Sequence, residues 1–140
     1  MKEIAQLTLT NDISQVALLE GFMEQVGEAA GLDMSMQLSL NLAVEEAVSN
    51  VIMYAYPDGS KGTADISARL ADGQLSFVLS DSGVAFDPTR RAEVDTTLSA
   101  EERPIGGLGI HLVRQIMDSV SYERTSDGRN VLTMTKKLST

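Results

Sequence analysis

The sequence contains no cysteine. That excludes disulfide staples, thiolate metal sites and cysteine nucleophiles, and it fits a reducing compartment. Positive charge is also scarce: 11 Lys and Arg stand against 20 Asp and Glu, for a formal net charge of -9 and a pI near 4.4. Gripping nucleic-acid phosphates rests on Lys and Arg displacing counterions, so no direct nucleic-acid partner is expected. No apolar run approaches the roughly 20 residues of a membrane span, and the opening segment MKEIAQLTLTNDIS lacks the apolar core of a signal peptide. The expectation is a cytoplasmic chain without membrane attachment. Its 140 residues, 43% hydrophobic, are enough for one domain with a real core, spanning 1–140.

Apolar residues alternate over 4–9, and Thr10, Asn11 and Asp12 offer caps for the next element, so a short strand enters a helix. Over 13–30, Val16, Leu19, Met23 and Val26 recur at three- and four-residue steps, and Gly31 is placed to stop that helix. Asp33 can cap a second helix, ended by Pro57-Asp58-Gly59. Alternating segments 63–70 and 74–80 flank Asp72-Gly73, a hairpin signal, and Asp127-Gly128 marks another between 120–124 and 130–136. Residues 110–117 read as a helix entered through Gly106-Gly107-Leu108-Gly109. The order β-α-α-β-β-loop-α-β-β predicts an α+β, two-layer α/β sandwich, with a mixed, mostly antiparallel sheet and helices on one face.

Three places on this frame can carry chemistry. On a helical wheel, Leu40, Val44, Val48, Val51 and Ala55 share the stripe that meets the sheet, while Glu46 and Asn50, four apart, share a roughly opposite face. Alone, that pair reads first as an ordinary surface or capping pair, and Glu45 beside it as a solvated charge. Asp81, in Leu79-Ser80-Asp81-Ser82-Gly83, stands at a strand's mouth, where its carboxylate can accept from an exocyclic amine and Gly83 can admit a flat ring to the backbone. An Asx turn ending the strand explains the same residues. Glycines 106, 107 and 109 open a helix whose unpaired N–H groups suit an anion, although the run is neither a P-loop nor a dinucleotide fingerprint. His111, the only histidine, reads as a helix-surface or lid contact, and the seven methionines as core filler. The polar stretch 88–104, with Arg90, Arg91 and Arg103, fits no period and reads as a lid, a binding loop or a solvated excursion.

In combination these motifs resemble the GHKL, or Bergerat-fold, ATPase superfamily. Glu46-Ala47-Val48-Ser49-Asn50 is similar to its N box, Asp81-Ser82-Gly83-Val84-Ala85-Phe86 to its first glycine box, and Gly107-Leu108-Gly109 to its second. The phrase Ala43 to Asn50, followed by Tyr54 and Tyr56, and the run GLGIHLVRQIMD are closest to the compact anti-sigma-factor serine/threonine kinase branch. Val84-Ala85 departs from the glycine-containing pair of many members.

The resemblance implies a single histidine-kinase-like ATPase domain with an ATP lid at about 88–106. It implies that Asn50 binds Mg²⁺, that Glu46 is general base on a partner's hydroxyl, and that Asp81 recognises the adenine amine while Gly83 admits the ring. Gly107, Leu108 and Gly109 would cradle the phosphates of ATP, and Thr133 would assist at the adenine. The implied substrate is a small anti-sigma-factor antagonist protein in a partner-switching circuit, with a sigma factor as second partner and a homodimer by analogy. A non-catalytic nucleotide-binding module that sequesters a regulator is the alternative; a binder, however, needs only the amide, not the acid beside it.

Overall fold

In the computed structural model, residues 2–57, 60–85, 87–90 and 110–138 are described. Five strands form one sheet in the order β1-β2-β3-β5-β4: β1 (Lys2–Thr10), β2 (Thr63–Ala71), β3 (Gln74–Asp81), β4 (Ser119–Arg124) and β5 (Asn130–Lys137). The expectation was a mixed, mostly antiparallel sheet; every pairing among these strands is antiparallel. Both hairpins obey their turn chemistry. Asp72 and Gly73 both take positive φ, the primed turn that matches strand twist. At the other, Gly128 N donates to Thr125 O and Thr125 N to Arg129 O, with Gly128 alone left-handed: a type I turn closed by a glycine bulge.

The expected first helix has two parts. Ile13–Leu18 winds as a 3-10 turn, and only Leu19–Ala30 is α-helical (α1). The side chain of Asp12 accepts from Ser14 N at 3.0 Å while its carbonyl accepts from Gln15 N at 2.8 Å. That i→i+3 bond sets the tighter winding, and the turn buries no residue whose packing would favour the α form. Gly31 ends α1 at φ 67°. The longest helix, α2 (Met34–Tyr54), is capped by Asp33, whose carboxylate accepts from Met36 N at 2.7 Å. A third, α3 (His111–Ile116), begins after Ile110.

One face of the sheet is apolar: Ala5, Leu9, Ala64, Ile66, Ala68, Leu75, Phe77, Leu79, Leu132 and Met134 are buried and pack with the helices. Phe22 of α1 meets Phe77 of β3 in a tilted pair, centroids 6.3 Å apart. Alternation turns small polar residues to the other face, where Ser76 and Thr135 share a hydrogen bond of 3.1 Å and Arg129 contacts Asp65, Ser80 and Ser82. Helix α2 buries most of its circumference, including Leu40, Val44, Val48, Val51 and Ala55 against the sheet. Its second covered side faces α3, and that sandwiching places the functional side chains.

Candidate functional site

With its apolar stripe fixed on the sheet, α2 turns Glu46 and Asn50 toward the sheet's end and α3. Glu46 is half-buried, and its Oε1 accepts from Val113 N in the first turn of α3 at 3.0 Å. A carboxylate on helix-terminal N–H groups is electrostatically favourable, and the bond orients Oε2 as the remaining acceptor. Asn50, one turn on, is 5% exposed and shares a small pocket with Asp81 and Asn130.

Asp81 ends β3 on the apolar face, 3% exposed. Its Oδ1 accepts from Gly83 N at 2.8 Å and from Asn130 Nδ2 at 2.9 Å. The first of these is an Asx turn, so turn and binding geometry coexist in one side chain. Asn130 pairs with Asp81 in the β3–β5 register. Its amide also donates to Val84 O at 2.8 Å, and its Oδ1 accepts from Tyr122 Oη and from Arg124 Nη1. Arg124 Nη1 reaches Gly83 O at 2.9 Å as well. Asp81 is thus held through Oδ1 inside a polar network.

Gly83 has a packing reason beyond any ring. A Cβ there would lie 2.2 Å from Ala55 O and 2.7 Å from Ala55 Cβ, and Val84 N donates to that same carbonyl at 2.7 Å. The chain leaving β3 lies directly on the end of α2. Tyr56 fastens the same corner, donating to Thr63 O at 2.6 Å and accepting from Ser82 N at 3.0 Å.

Thr133 is not brought to this place. Leu132 and Met134 face the helices, so alternation sends Thr133, opposite Val78, to the other face of the sheet. Asn130 is the residue that sequence reasoning missed, although counting inward from Asp127-Gly128 with the Leu132 and Met134 alternation marks it. Glu45, expected as a solvated charge, is half-buried along a groove against α1. His111 is exposed at the start of α3, as expected. Gly107, Leu108 and Gly109 lie outside the described residues, as does the expected lid apart from the turn Pro88–Arg90, which Arg114 of α3 holds through Thr89 O.

The pocket beneath Asp81 has a volume of about 10 Å³, space for a water at most, so a purine requires its lining to open. No group of three or more His, Asp or Glu that could cage a metal exists among the described residues; Asn50, which lines the pocket, carries an amide oxygen of the hard type that a hard cation takes. Mg²⁺ takes few protein ligands and keeps phosphate and water oxygens. No helix among the described residues is long and apolar enough to cross a membrane.

A five-stranded antiparallel sheet under helices, with a buried carboxylate at a strand's mouth beside a helix carrying an acid and an amide one turn apart, is the α+β arrangement that the resemblance to histidine-kinase-like ATPase domains led one to expect. The chain belongs to the histidine kinase-like ATPase domain family, which matches residues 9–136. It is 31% identical over 100 residues to the serine/threonine-protein kinase BtrW of Bordetella bronchiseptica, covering 71% of this chain and 70% of that one. It is 34% identical over 103 residues to the serine-protein kinase RsbW of Halalkalibacterium halodurans, covering 71% and 61%. To the serine-protein kinase RsbW of Listeria monocytogenes it is 31% identical over 99 residues, covering 68% and 63%. The match thus spans under two thirds of the length of both RsbW proteins.

Proposed function

We propose that the protein is an ATP- and Mg²⁺-dependent serine/threonine protein kinase that phosphorylates a small antagonist protein in a cytoplasmic partner-switching circuit. The observation that carries this reading is the placement of Glu46 and Asn50 one turn apart on α2, with Asn50 in the same pocket as the buried Asp81 carboxylate. Serine/threonine kinase names among the relatives support it.

Asp81 accepts the adenine amine through Oδ2, because Gly83 and Asn130 already hold Oδ1. Asn50 would hold the cation through its amide oxygen, and the N–H groups of Gly107, Leu108 and Gly109 would hold the phosphates. Mg²⁺, when bound, neutralises charge on the transferring phosphoryl group. Glu46, oriented by Val113 N, would receive at Oε2 the proton of the acceptor hydroxyl as the hydroxyl oxygen bonds to the γ-phosphorus of ATP and the bond from that phosphorus to the β-phosphate oxygen breaks, with ADP as the leaving group. A phosphate on the antagonist adds about two negative charges, which weakens its contact with this acidic chain and releases it toward another partner, a sigma factor in the implied circuit.

Glu46→Gln tests the assignment. The amide keeps an oxygen for Val113 N, so ATP binding and folding should persist while phosphoryl transfer to the antagonist falls by about 10²–10⁴. Unchanged transfer in this variant removes Glu46 from the base role.

A further inference from the structure

A groove of about 220 Å³ runs between the 3-10 turn and α1 on one side and α2 on the other, away from the pocket that holds Asp81. Ala17, Met23 and Leu38 give it an apolar lining; Glu20 and Glu24 stand on the α1 side and Glu45 on the α2 side. Cavities of this size admit a ring-sized apolar side chain. Along α2 the apolar surface continues outward through Leu38, 60% exposed, and Leu42, 50% exposed, one helical turn apart. Asn41, which lines the groove, has a buried Oδ1 with no hydrogen-bond partner among the described residues.

The charge pattern selects the occupant. From Glu3 to Ser60 the sequence holds nine acidic residues and no Lys or Arg, whereas the other residues balance eleven acids against eleven bases. The whole net charge of the chain therefore lies in the part that carries this groove. A second copy docked here in two-fold fashion would set Glu20, Glu24 and Glu45 against themselves, which disfavours self-association through this face. A helix that lays leucine-like side chains on the lining, with Lys or Arg along both flanks, meets an acid on each wall.

We propose that this groove is a docking site for a partner protein presenting a basic amphipathic helix. The proposal rests on the kinase reading only in identifying that partner as the kinase's own: Leu42 and Glu46 are four residues apart on one helix, so a partner docked along Leu38 and Leu42 lies next to the base.

The test uses two synthetic peptides of about 18 residues, long enough to sample helix, with the same leucine spacing and either Lys or Glu at every other position. Fluorescence anisotropy is measured with wild type, with Glu20→Lys/Glu24→Lys, with the neutral Glu20→Gln/Glu24→Gln, with Leu38→Ser, and with Glu3→Lys/Glu123→Lys as an equal charge change elsewhere. The Lys peptide should bind wild type more weakly as salt rises, and at least about tenfold more weakly to each groove variant. The Glu3/Glu123 variant should stay within about threefold of wild type. No binding of the Lys peptide, equal binding of the Glu peptide, or equal weakening in the Glu3/Glu123 variant overturns the proposal. ATP titration of the same proteins separates the two readings: wild type that binds the Lys peptide at the groove but not ATP keeps the groove and loses the kinase.

Discussion

Replacing Gly83 by alanine places one methyl group where the structure leaves no room. The nearest atoms are backbone: Ala55 O at 2.2 Å and Ala55 C at 2.7 Å, so no flexible side chain can give way. Either the exit of β3 lifts from α2 or the end of α2 shifts. Overpacking of this kind costs about 1–3 kcal/mol. Lifting also weakens the 2.7 Å bond from Val84 N to Ala55 O, a further loss of about 1 kcal/mol. The expected total is about 2–4 kcal/mol, read as a fall of roughly 1–2 M in the urea midpoint at an unchanged m-value. In a thermal scan the same loss lowers Tm by roughly 6–16 °C for a chain of this size. A midpoint within about 0.3 M of wild type would refute the close approach. If that stable variant also lost ATP binding, the glycine would serve the ring rather than the corner.

The contacts around the site and the first turn set three further expectations. Glu46→Ala, unlike Glu46→Gln, deletes the acceptor for Val113 N and should cost about 1–2 kcal/mol of stability by denaturant titration; equal stability of the two variants would show that the bond does not hold α3. Asn130→Ala removes the donor that fixes Asp81, the acceptor for Tyr122 Oη and the donor to Val84 O, and leaves Arg124 only Gly83 O, so a loss of about 2–4 kcal/mol should accompany at least about tenfold weaker ATP binding by calorimetry. The backbone and hydroxyl of Ser14 hold Asp12 below its ordinary carboxylate value of 3.8. The folded pKa is depressed, so the cap's stabilisation is present above pH 3.8 and disappears as pH falls through the lower folded value. Asp12→Asn should flatten the stability-pH curve in that acid range and lower it by a constant amount near neutrality, where the ionised cap's contribution is lost.

The sequence carried most of the frame because its signals were local. Asp33 as a cap, Gly31 as a stop and Asp72-Gly73 as a turn each act through their own backbone, and each stands where the pattern put it. The stripe Leu40, Val44, Val48, Val51 and Ala55 was legible from helical period alone, and with it the face that Glu46 and Asn50 share. What escaped was set by partners distant in sequence or by burial. The 3-10 winding of Ile13–Leu18 depends on how Asp12 folds back on Ser14 and on a lack of burial that no periodicity reveals. The reason for Gly83 is a helix end 28 residues earlier. Thr133, implied by the resemblance alone, falls on the wrong face because β5 alternates strictly, as the apolar Leu132 and Met134 already display; the same alternation puts Asn130 on the site's face.

The kinase reading requires Asp81 and Asn50 to belong to one nucleotide site. Calorimetric titration of ATP with Mg²⁺ into wild type, Asp81→Asn and Asn50→Ala, with GTP as the comparison and folding checked by circular dichroism, tests it most directly. Binding of ATP but not GTP by wild type, lost in both folded variants, is the predicted result. Well-folded wild type that binds no ATP, or variants that bind it as wild type does, would contradict the account.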